Sequence, residues 1–187
     1  MPDPGADDAR RWLAAHPAGA SPDEVLAFFD SLAPVSTAEM VGRWRGSGLP
    51  TGSPLDGLLE AYGWWGKEVV DDETVHPLLV AGRGGRPYPV NPALVPLSVL
   101  HSRPGLAHSA LLRRAATAVR PLARARRPAA RLRTLTHRGV ASAAMVYDAL
   151  PVVDVFRRVD DEVVLGLMDM RGLETPFAFV LTPEPRG

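Results

Sequence analysis

The sequence contains no cysteine and a single lysine among its 187 residues. The first absence excludes disulfides, thiolate catalysis and cysteine-ligated zinc or iron–sulfur centres. The single lysine stands against twenty arginines, a ratio that reads as the codon bias of a GC-rich bacterial genome. No apolar run reaches the roughly 18 residues of a membrane-spanning helix. The first thirty residues carry acids and prolines in place of a basic start and an apolar run. The expectation is a cytoplasmic protein with no integral-membrane segment. Acidic residues are absent between Glu73 and Asp148, a stretch that holds twelve arginines. Such segregation has two readings: the basic middle pairs with the acidic flanks, or it forms an anion site for a carboxylate, phosphate or lipid headgroup. The few aromatics are not interleaved with these arginines, so a base-stacking platform is missing and no nucleic-acid partner is expected.

What is present suits one globular domain: 46% apolar residues, 22% charged, and a net charge of zero. A chain of this size buries roughly two-thirds of its unfolded surface. Residues 1–20, rich in Pro, Gly, Ala and Asp, read as a flexible tail ahead of a domain over 21–182. Ser21-Pro22-Asp23-Glu24 has the form of a capping box with proline in the first turn. It opens a helix with Val25, Phe28, Phe29 and Leu32 on one face, ended by Pro34. A shorter box, Ser36 to Glu39, leads into Gly42-Arg43-Trp44-Arg45-Gly46, which alternates as a strand with Trp44 and the glycines on one side. Ser53-Pro54-Leu55-Asp56 opens a short helix stopped at Gly63. Strands follow at 64–70 and 75–80, the second interrupted by Pro77, which predicts an edge or a bulge. Residues 86–104 hold five prolines and read as irregular, and 106–119 as a basic amphipathic helix. This basic insertion, 93–128, separates a first part, 24–92, from a C-terminal part, 129–182. There, five strand-like runs at 131–136, 140–147, 152–159, 163–168 and 177–181 are divided by a few turn residues each, a spacing that predicts an antiparallel meander.

Gly42-Arg43-Trp44-Arg45-Gly46, followed by Thr51-Gly52 and Trp64-Trp65-Gly66-Lys67, resembles the GXWXG-domain family of bacterial proteins. Arg131-Leu132-Arg133, His137-Arg138-Gly139, Ala143 through Asp148, Pro151, Asp154, Phe156-Arg157 and Leu165-Gly166-Leu167-Met168-Asp169 resemble its companion C-terminal domain of unknown function. One departure is Ser53, where the resemblance leads one to expect a histidine. More distantly, the Gly-X-Trp strand after a helical turn is similar to the calycins: lipocalins, fatty-acid-binding proteins and nitrobindins. That resemblance implies a barrel in which Trp44 plugs one end and an arginine from a later strand, Arg157 or Arg133, packs across it. The expected fold is therefore mainly β (α+β): a calycin-like antiparallel β-barrel with an N-terminal helix and a helical or irregular Arg-rich insertion.

Nitrobindin-like barrels bind haem through a late-strand histidine, but here no histidine follows His137, and Met145 and Met168 read as core. No cofactor is expected. His76, His101, His108 and His137 lack paired ligand spacing, so no metal site is expected either. Gly82-Arg83-Gly84-Gly85 lacks the ending of a phosphate loop, and no nucleophile elbow occurs. What remains is a polar set on the late strands, whose members must face solvent, pair, or line a cavity. Parity puts Arg131, Arg133 and His137 on one face, Asp154 beside Phe156, and Asp169 beside Leu165 and Leu167. The expected function is binding of a lipophilic, anionic or carbonyl-bearing metabolite, with Trp44, Arg131, Arg133, Tyr147, Arg157 and Asp169 as ligand-binding residues. The alternative is a cofactor-independent isomerase, cyclase or lyase using Asp148, Asp154 and His137 for acid–base chemistry. A third is a structural or membrane-peripheral protein acting through the basic 103–127 segment. Whether the chain is an enzyme stays open, and so does a homodimer.

Overall fold

The computed structural model describes residues 4–94 and 123–184. Among the described residues, ten strands form one sheet: β1 (Ala33–Pro34), β2 (Gly42–Leu49), β3 (Trp64–Val69), β4 (Val75–Val80), β5 (Tyr88–Pro89), β6 (Ala130–His137), β7 (Val140–Tyr147), β8 (Val152–Arg158), β9 (Val164–Met170) and β10 (Phe177–Pro183). Eight of them run β8-β7-β6-β4-β3-β2-β10-β9, and β9 pairs back onto β8, which closes an antiparallel barrel. The five late runs are β6 to β10, a meander in chain order as their turn spacing predicts. β1 and β5 are short additions to β8 and β4. The helix expected over 106–119 lies outside the described residues, as does most of the 93–128 stretch.

The barrel has two apolar layers. Its interior holds Trp44, Trp64, Met145, Phe156, Phe177 and Phe179 with smaller neighbours. The outer face of β7 to β10 is apolar too, because Ala144, Val155, Leu165, Leu167 and Ala178 are covered by helix α2 (Pro22–Ser31), which brings Val25, Phe28 and Phe29. Ser21 caps α2 through the reciprocal capping box with Glu24. Residues 4–15, expected as part of a flexible tail, instead form helix α1 (Pro4–Ala15). Tertiary contacts hold it: Trp12 stacks on Phe28 at 4.0 Å between ring centroids, and Arg10 Nε meets Asp160 Oδ2 at 2.5 Å. A third helix, α3 (Leu58–Ala61), is shorter than its sequence pattern and stops before Gly63, whose φ is +71°.

Two glycines permit close approaches inside the barrel. A Cβ on Gly46 would lie 2.1 Å from the Trp64 ring, so the Gly-X-Trp-X-Gly spacing leaves a notch that this indole fills. A Cβ on Gly66, where φ is +153°, would lie 1.8 Å from the Trp44 carbonyl oxygen. Of the two outcomes that its place in β4 predicts, an edge or a bulge, Pro77 stands at a bulge. Register passes from Glu68↔His76 to Gly66↔Leu79, so Lys67 alone faces Pro77 and Leu78. This bulge frees the Pro77 carbonyl from the ladder and sets the stage for the interior polar cluster.

Candidate functional site

Lys67 lies in register with Trp44 across β2 and β3, and therefore shares its inward face. Only 3% of the residue is exposed. Its three N–H donors find three acceptors: Asp154 Oδ2 at 2.7 Å, the Tyr147 hydroxyl at 3.1 Å and the Pro77 carbonyl at 3.2 Å. The Tyr147 hydroxyl in turn donates to Asp154 Oδ2 at 2.9 Å. Asp154 is fully buried, and its Oδ1 has no hydrogen-bond partner among the described residues. Nζ also lies 4.8 Å from the centroid of the Phe179 ring, 5.6 Å from that of Tyr147 and 5.7 Å from that of Trp64. Burial raises the Tyr147 hydroxyl well above the ordinary tyrosine pKa, and the charge of Asp154 adds to the effect. The phenol therefore keeps its proton at neutral pH and acts as a donor.

This cluster borders a cavity of about 40 Å³ lined by Trp64, Lys67, Pro77, Tyr147, Phe177 and Phe179 on its buried side. Buried Pro92 and the partly exposed Leu59, Leu78, Leu150 and Met168 complete the lining, and the cavity opens between these last four. A single water needs roughly 10–15 Å³ on this measure, so there is room for about three waters, or for a carbonyl and a short stem.

The residues singled out by sequence divide by face. Tyr147 and Asp154 belong to the interior cluster. Trp44 is interior as well, its indole N–H donating to the Met40 carbonyl at 2.8 Å. Arg131 and Arg133 point outward: Arg131 pairs with Asp148 at 3.0 Å, and Arg133 with Glu73 at 2.5 Å. These two pairs join the basic middle to its acidic flanks. Asp148 is exposed at the end of β7. His137 and Asp169 approach to 3.9 Å on the outer face. Burial holds the His137 imidazole below its ordinary pKa, against the attraction of Asp169.

Arg157 is fully buried, yet it does not stack on Trp44. It alternates with the interior Phe156 and so lies on the outer face, its guanidinium 4.8 Å over the Phe29 ring of α2. It donates to the His137 carbonyl at 3.1 Å and clamps the end of the β6–β7 hairpin. Nearby, Ser142 bridges the splay where β1 takes the place of β7 beside β8. It accepts from the Val35 N–H at 2.9 Å and donates to the Phe156 carbonyl at 2.6 Å.

Lys67 is the residue that sequence reasoning passed over. The signal was its singularity, since every other Lys or Arg ion pair among the described residues uses arginine. Among the described residues, no group of three or more histidine or acidic side chains is placed to hold a metal ion, and no helix is long and apolar enough to cross a membrane.

The model of the GXWXG protein family matches residues 27–85, and that of a Domain of unknown function (DUF4334) matches 128–182. A crystal structure of a protein from Thermomonospora curvata is similar at a TM-score of 0.70 with 32% identity, over 95% of this chain and 99% of that one. No curated protein matches the chain.

Proposed function

This chain belongs to the GXWXG protein family, and we propose that it binds a small carbonyl compound in the interior of its barrel. The observation that carries this reading is the Lys67–Tyr147–Asp154 cluster at the end of an apolar cavity. Buried apolar walls with a few convergent polar groups are the usual form of a small-molecule site. The ammonium suits an oxygen acceptor, which would take the place of the Pro77 carbonyl, the longest of its three hydrogen bonds at 3.2 Å. The positive charge is already offset by Asp154 at 2.7 Å, which favours a neutral carbonyl over a carboxylate, because an anion would meet a second negative group in a narrow site with mostly apolar walls. Longer ligands would place their carbonyl inside and their remainder across Leu78 and Leu150. The lipophilic character expected for the ligand is kept in this reading, as is the analogy to ligand-holding calycin barrels.

Tryptophan fluorescence tests the proposal, since Trp64 lines the cavity. Titration with butanone should change the emission with saturation on the order of millimolar, as expected for so few ligand atoms. Butyrate should bind more weakly. Equal binding of the two, or no saturable response to either, counts against the reading.

An acid–base role is supported at different residues from those the strand pattern favoured. Asp154 keeps its place beside the cavity, whereas His137 and Asp148 lie on the outer face of the barrel, and Tyr147 and Lys67 take their place beside the cavity as candidate proton-handling groups.

A further inference from the structure

We propose that Lys67 forms a protonated Schiff base with the carbonyl ligand, with Asp154 as its counter-ion. The inference rests on the carbonyl-binding reading above and adds a covalent step to it. Three independent observations carry it. First, the chain uses arginine twenty times and lysine once, and surface ion pairs such as Arg43–Glu68 and Arg138–Asp30 show that arginine serves wherever a fixed cation suffices. A guanidinium does not give up its proton in proteins, whereas a buried primary amine does, and it alone can condense with a carbonyl. Second, Lys67 is among the residues that line the cavity, instead of lying behind them. Third, the surroundings suit a cation that persists after condensation: the Asp154 carboxylate at 2.7 Å and the three ring faces of Phe179, Tyr147 and Trp64.

The step balances without any further reactant. The Lys67 ammonium passes one proton to Asp154, and the freed lone pair forms a bond to the carbonyl carbon. A second proton moves from nitrogen to the former carbonyl oxygen, with the Tyr147 hydroxyl placed to relay it, giving a carbinolamine. The C–O bond then breaks, and the departing hydroxyl takes the proton held by Asp154 and leaves as water. A C=N bond remains, bearing one hydrogen and one positive charge. Asp154 ends as a carboxylate beside it, so the charge of the site is the same before and after.

Reversal of this step in labelled water provides the test. Water carrying heavy oxygen should exchange its label into butanone faster with the protein than in buffer, and Lys67→Arg should abolish the acceleration. As a second readout that needs no variant, the wild-type protein is treated with butanal and cyanoborohydride and then mapped by peptide mass spectrometry. Lys67 and the amino terminus are the chain's primary amines. An alkyl group on Lys67 of the folded protein, suppressed by excess butanone, is the expected result. Saturable butanone binding without label exchange or a Lys67 adduct would overturn the Schiff base and leave the binding reading standing. Absence of binding as well would overturn both.

Discussion

Removing the Asp154 side chain leaves the Lys67 ammonium among the Trp64, Tyr147 and Phe179 rings with two neutral acceptors and no counter-charge. Breaking a buried pair from one side costs about 3–5 kcal/mol, so Asp154→Ala should lower unfolding stability in urea by that amount. Tyr147→Phe removes one hydrogen bond to each charged partner and should cost less. A loss for Asp154→Ala under about 1 kcal/mol, the usual worth of an exposed pair, would show that solvent reaches the cluster. Sequence parity correctly grouped Asp154 with Phe156. It had no means of reaching Lys67, because that residue's inward position follows from its register with Trp44 and from the bulge at Pro77.

The β6–β7 hairpin is the element that joins barrel to helix. Arg138 and Gly139 take positive φ values of 50° and 79° in its tight turn. Arg138 then reaches Asp30 of α2 through two hydrogen bonds of 2.7 Å. His137 sits beneath, edge-on to Phe29. Its pH dependence follows from burial. In the unfolded chain the imidazole takes up a proton near pH ~6.5, and in the folded protein only at lower pH. Between those values the unfolded state binds more protons, so stability falls as the pH drops through that window. Asp30 acts lower: Arg138 holds its carboxyl below the ordinary value, so its contribution is intact above about pH 4 and is lost only in stronger acid. Urea unfolding across these windows should show the His137→Gln variant flattened just below pH 6.5 and unchanged in the acid limb. Parallel curves for variant and wild type would contradict the burial of the ring.

Across the whole molecule the barrel is unevenly sealed. β6 and β7 pair from Ala130↔Tyr147 to His137↔Val140, whereas β4 and β6 meet in register at Val75↔Ala130, with Leu132 N–H donating to the Asp72 carbonyl beside it. Few ladder bonds mean local opening at low free-energy cost. Amide hydrogen exchange should therefore be faster along β4 than along β7, and comparable protection of the two would argue against a weak seam beside the cavity. The sequence by itself determined the late meander, the capped helix before the Gly-X-Trp strand, an irregularity at Pro77 and the family, because turn chemistry, capping and side-chain alternation act over a few residues. It could not tell which face of the late strands was interior. Helix α2 buries the outer face as thoroughly as the barrel buries the inner, so Val155, Leu165 and Leu167 are as apolar as Val152, Phe156 and Phe179. Arg131, Arg133 and Arg157 fell on the outer side of that ambiguity, and Tyr147 and Asp154 on the inner. Closure of β9 onto β8 and the β3–β4 register brought Lys67 to them from a strand eighty residues away from Tyr147, a contact that only the tertiary structure creates.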